Sequence, residues 1–65
     1  MPSSVIRAFD YDAAARRLEI EFVSGRRYSY FDVPESEVTA LRRSASKGGY
    51  FNRRIRDHYA FAEQD

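Results

Sequence analysis

The sequence predicts an α+β fold: a three-stranded antiparallel β-meander followed by two helices packed on one sheet face, in the order βββαα. Three observations carry this. Leu18, Ile20 and Phe22 alternate with Arg17, Glu19 and Glu21, the pattern of a strand with one face on a core and the other in water. Tyr28 and Tyr30 repeat the same two-residue period just after Gly25, which marks a hairpin partner. Beyond Pro34 the apolar period becomes helical, first Val38, Leu41 and Ala45, then Phe51, Ile55 and Tyr59.

The first strand is expected over residues 5–11, with Val5, Phe9 and Tyr11 on one face and Ile6 and Ala8 on the other. Residues 12–16 form a turn opened by Asp12, whose carboxylate can bond nearby backbone. Residues 17–23 make the second strand and residues 26–31 the third. The loop between them decides where the tyrosines point. A two-residue Ser24-Gly25 loop would set Tyr28 opposite Glu21 and Tyr30 opposite Glu19, on the wet face. A three-residue loop, Val23-Ser24-Gly25, puts Gly25 in the left-handed position of a G1 bulge. Ile20 then pairs with Tyr28, Leu18 with Tyr30, and Glu21 with Arg27. The second register matches apolar with apolar and acid with base, so both tyrosines are expected on the core face.

Pro34 can occupy the first position of a helix that runs to about Ala45. Glu35 and Glu37 fall in its first turn and Arg42 and Arg43 in its last, as the helix dipole favours. Residues 46–49, Ser-Lys-Gly-Gly, break the helix. Ser46 is a candidate N-cap for a second helix that extends to about His58. Asn52, Arg53 and Arg56 fall away from its apolar stripe, and residues 60–65 are expected to fray.

A chain of 65 residues allows one domain, residues 1–65, with a small core. It has no cysteine and a single histidine, His58, which excludes disulfides and His- or Cys-rich metal sites; no metal or cofactor is expected. The start of the chain has no signal-peptide pattern and no apolar run long enough to span a bilayer, so a cytoplasmic protein is expected. Net charge is only +1, but its distribution is uneven. Residues 1–41 carry −2, residues 42–58 carry +5 and residues 59–65 carry −2. Arginine supplies nearly all of the basic excess, and its planar head suits phosphate recognition.

No nucleophile–base pair is evident, and no phosphate-loop, dinucleotide or metal-ligand spacing occurs. Glu19 and Glu21 share a strand face with Arg17 and Arg27, which reads as a salt-bridged surface. An enzyme is therefore not expected. Three other features each have two readings. Tyr28 and Tyr30 either close the core or form a stacking platform for bases, and the register argument favours the core. Ser46, Lys47, Gly48 and Gly49 either hold a phosphate at a helix N-terminus or make a tight turn that needs glycine. Arg53, Arg54 and Arg56 either track a nucleic-acid backbone or solubilise a helix face.

Taken together these motifs resemble the KTSC domain, a small bacterial module named for the C-terminus of some lysyl-tRNA synthetases. The resemblance rests on Tyr11-Asp12, Leu18-Glu19-Ile20-Glu21-Phe22, Gly25, Tyr28-Ser29-Tyr30 and Val33-Pro34. It rests also on Ala45-Ser46-Lys47-Gly48-Gly49-Tyr50-Phe51-Asn52-Arg53-Arg54-Ile55-Arg56, so it spans nearly the whole chain. It implies a non-catalytic domain for which RNA binding has been suggested. The expected site is Ser46, Lys47, Gly48, Gly49, Arg53, Arg54 and Arg56, with RNA as partner. The competing expectation is a protein-interaction or homodimerisation module that uses a sheet edge or an exposed face with Val23 and Phe31.

Overall fold

A computed structural model describes residues 5–64 of the chain. Residues 1–4, part of the segment read as lacking a signal peptide, lie outside the described residues, as does Asp65 of the tail. The elements are β1 (Ile6–Asp12), β2 (Arg17–Phe22), β3 (Arg27–Tyr30), α1 (Glu35–Arg43), α2 (Lys47–Tyr50) and β4 (Phe61–Gln64). A π-helical turn, Phe51–Ile55, continues α2 without a break. The strands form one antiparallel sheet in the order β1-β2-β3-β4, with the helices on one face. No helix among the described residues is long and apolar enough to cross a membrane.

The fourth strand corrects the expected three-stranded meander and the expected frayed tail. Tyr30 pairs with Phe61, Ser29 with Ala62 and Arg27 with Gln64. All four β4 residues are exposed, so no apolar alternation announces the strand. Its stabilisation comes from the hydrogen-bonding edge that β3 offers once the β2–β3 hairpin exists.

The β2–β3 register is the one set by the three-residue loop. Leu18 lies opposite Tyr30, Ile20 opposite Tyr28 and Glu21 opposite Arg27. Gly25 has φ +94°, its N–H bonds the Phe22 carbonyl, and the Phe22 N–H bonds the Arg26 carbonyl. In β1 the expected faces are only partly right. Ile6 pairs with Phe22 and Ala8 with Glu21, so Arg7 is the extra residue of a β-bulge. The bulge reverses the parity at the strand's start and puts Ile6, not Val5, on the core face beside Phe9 and Tyr11.

The Asp12 carboxylate accepts from the Ala15 N–H at 3.2 Å, as the opening of the β1–β2 turn requires. Arg16 and Asp32 both adopt left-handed backbone, φ 53° and 57°. The two loops meet where the Val33 N–H bonds the Arg16 carbonyl at 3.0 Å. The Tyr11 hydroxyl donates to the Val33 carbonyl at 2.7 Å, tying β1 to the start of α1.

The core comprises Leu18, Ile20, Tyr30, Val33, Val38, Leu41, Phe51 and Ile55. α1 is shorter than expected and leaves Ala45 exposed. The Ser44 hydroxyl accepts from the Ser46 N–H at 3.1 Å and donates to the Ser46 carbonyl at 2.8 Å, which turns the chain out of the helix. Glu37 clamps the two helical segments together. Its carboxylate accepts from the hydroxyls of both Tyr50 and Tyr59, the latter at 2.9 Å.

Candidate functional site

Ser46 caps α2 as expected. Its Oγ accepts from the Gly49 N–H at 3.2 Å while its carbonyl accepts from the Tyr50 N–H at 2.9 Å. Gly48 is buried. A Cβ on Gly49 would lie 2.8 Å from Ser46 Oγ, closer than real contacts allow. The cap itself therefore favours glycine at position 49, since a Cβ there would push Ser46 Oγ aside. Of the expected turn residues, Ser46, Gly48 and Gly49 are engaged in making the turn. Lys47 remains on the surface, with its Nζ 3.2 Å from the Ser44 carbonyl.

The three arginines of the second helix are all exposed, but they do not form one strip. Arg53 lies over the turn, its guanidinium 3.6 Å from the position of a Cβ on Gly49. Arg54 lies near Tyr50 and Tyr59, where its charge opposes the upward push on their phenols. Both phenols are held above the ordinary value of 10.0, first by burial and then by the hydrogen bonds to Glu37. Arg56 faces the other way. The Arg56 N–H bonds the Phe51 carbonyl at 2.9 Å, the i→i+5 contact of a π turn. This wider turn brings Arg56 to the groove that Phe51 also lines and beside Asn52, whose Oδ1 accepts from the guanidinium at 3.4 Å. Asn52 and Arg56 were expected to point away from the apolar stripe; the π turn brings both to its margin.

That margin is a groove of about 600 Å³ between the π turn and the outer half of the sheet. Tyr28, Tyr30, Phe22 and Phe51 form its floor, and Phe61 stands at its β4 side. The rings are in contact: Phe61 lies 5.7 Å from Tyr28 and 5.4 Å from Tyr30, centroid to centroid, and Phe51 lies 5.3 Å from Tyr30. Tyr30 is buried, whereas Tyr28 is half-buried and Phe61 is 54% exposed. The expectation that both tyrosines turn inward holds for the strand face. Tyr28 packs against the core while keeping part of its surface open to the groove. Arg26 and Arg56 stand at the rim with Asp57.

Sequence reasoning missed Arg26, Asn52 and Phe61 as neighbours of the tyrosines. The three-residue loop register puts Arg26 at the end of this face and could have flagged it. Nothing local flags Phe61.

The family model of the KTSC domain matches residues 2–59. The chain belongs to the KTSC domain family. A KTSC domain protein from Yersinia pestis, known from its crystal structure, superposes with a TM-score of 0.90 at 32% identity. That match covers 100% of this chain and 92% of the other. A lysine–tRNA ligase from Nostoc punctiforme is 42% identical over 60 residues, 92% of this chain and 11% of the ligase. An uncharacterized protein from Stutzerimonas stutzeri is 39% identical over 62 residues, 94% of this chain and 87% of that protein. The KTSC domain therefore spans about a tenth of the ligases it matches and most of the smaller protein. The family match ends two residues before β4, the strand that supplies Phe61.

Proposed function

We propose that this KTSC domain is a small, non-catalytic RNA-binding domain whose contacts to phosphate come from Lys47, Arg53, Arg54 and Arg56. One observation carries the reading. Arg42, Arg43, Lys47, Arg53, Arg54 and Arg56 are all exposed, and the ion pairs among the described residues involve Arg7, Arg17 and Arg26 instead. Cations that make no ion pair among the described residues are available to neutralise phosphate, and they account for the local excess of positive charge. Similarity to part of lysine–tRNA ligases, enzymes named for a tRNA, supports RNA over other polyanions. Within this reading Ser46, Gly48 and Gly49 contribute by fixing the helix start from which the cations project.

The experiment is a binding series with tRNA, single-stranded RNA and duplex DNA across salt concentrations. Affinity for RNA is expected to fall steeply with salt, with a log–log slope that becomes shallower in the variant Arg53→Ala/Arg54→Ala/Arg56→Ala. Absence of binding at low salt refutes the reading. Undiminished binding by the triple variant moves the contact surface elsewhere and sinks this site assignment.

A further inference from the structure

The arginines explain attraction to a polyanion; they do not explain the aromatic groove beside them. Five aromatic rings converge there, and three of them, Phe22, Tyr28 and Phe61, keep open surface in a 65-residue domain that has little apolar area to spare. At about 600 Å³ the groove lies within the range of sites that hold small organic groups.

We propose that this groove is a stacking site for an unpaired nucleobase of single-stranded RNA. The proposal rests on the RNA-binding reading above and names the part of the ligand that the groove takes. The charges around it select the occupant. Arg26 and Arg56 hold two guanidiniums at the rim of an aromatic floor, which matches a flat ring carrying a phosphate. Arg26 sits 3.9 Å from Glu63 with both side chains exposed, a weak ion pair that a phosphate displaces. Asn52 and Asp57 also line the groove and offer an amide and a carboxylate to the polar edge of a base. A continuous duplex cannot use the site, since its bases are stacked and paired; a strand with splayed bases can. β4 is indispensable to the arrangement, because it brings Phe61 against Tyr28 and Tyr30.

The test compares three probes: a short single-stranded RNA, an abasic ribose-phosphate strand of the same length, and duplex RNA. Binding is followed by quenching of tyrosine fluorescence, which is clean because the chain has no Trp, and by NMR shifts of the Tyr28 and Phe61 rings. Single-stranded RNA is expected to bind more tightly than the other two and to shift both rings. Phe61→Ala is the main variant because its side chain is largely exposed, and Tyr28→Leu is the second. Each is expected to weaken the base-bearing strand by roughly 5- to 50-fold and to leave the abasic strand unchanged. If both variants bind single-stranded RNA as the unaltered domain does while the triple arginine variant does not, the groove proposal is refuted and the RNA-binding reading stands. If no probe binds at low salt, both fall. Ring shifts caused by an acidic, aromatic-rich peptide and not by RNA also refute the groove proposal and assign the groove to a protein partner.

Discussion

Replacing Gly49 with alanine separates two reasons for glycine at the start of α2. Alanine ordinarily stabilises a helix interior by about 1 kcal/mol relative to glycine. Here the new methyl group would lie 2.8 Å from Ser46 Oγ, the atom that accepts the Gly49 N–H. The serine has to rotate, and loss of an N-cap costs about 0.5–2 kcal/mol. The two effects nearly cancel, so Gly49→Ala alone is expected to change stability little or to lower it by about 1 kcal/mol. Ser46→Ala alone is expected to cost about 1 kcal/mol. In the Ser46→Ala background the clash with Oγ is gone, and Gly49→Ala is then expected to stabilise by up to about 1 kcal/mol. The cycle therefore has a coupling energy of about 1 kcal/mol. Urea unfolding of the four proteins measures it; in a domain of this size each kcal/mol moves the Tm by roughly 4–8 °C. Additive effects, with Gly49→Ala stabilising in both backgrounds, would refute the steric argument. The same four proteins report on binding. A cap role predicts that RNA affinity follows helix stability, whereas a backbone cradle for phosphate predicts loss of affinity in folded Gly49→Ala.

Four further outcomes are expected. Glu37→Gln should cost about 1–3 kcal/mol, because two phenols lose a charged acceptor at a half-buried site; thermal unfolding checks it. The phenols of Tyr30, Tyr50 and Tyr59 are all raised above 10.0, Tyr30 chiefly by burial. A raised folded-state pKa means that the neutral phenol is favoured in the native state, so this stability is complete below pH 10 and is lost as pH climbs through the folded values; the urea midpoint should fall there and stay flat between pH 8 and 9. At Asp32, φ 57°, substitution by glycine should be neutral or mildly stabilising, while valine should cost about 1–2 kcal/mol. Finally, ending the chain after Ala60 should cost about 2 kcal/mol, half the loss for a fully buried phenylalanine, since Phe61 is 54% exposed. It should also expose the β3 edge and promote self-association, visible by sedimentation.

Much of the fold was legible because it is written in local periods. The alternation in residues 17–22 and the position of Gly25 predict the β2–β3 register pair by pair, since only one loop length matches both apolar and charged positions. The Ser46 cap was legible for a similar reason, a side chain three residues from its donor. The Arg7 bulge was not, because an extra residue in a strand leaves no periodic mark other than a break in parity. The π turn was not either, since Phe51 and Ile55 fit an ordinary helix equally well.

The sequence by itself determined that a sheet with one apolar face would be covered by two amphipathic helices. It also determined that the positive charge would gather over residues 42–58, the end of the first helix and the second. Tertiary structure decided how far that cover reaches. It leaves Tyr28 half-buried, it brings Arg56 to the groove that Phe51 lines, and it draws residues 61–64 onto β3, although they carry no strand pattern of their own. The physical reason is range. A two- or four-residue period reports which side of an element faces a core, but the extent of that core depends on contacts between residues such as Tyr28 and Phe61, which are distant in the chain and meet only after the hairpin has formed.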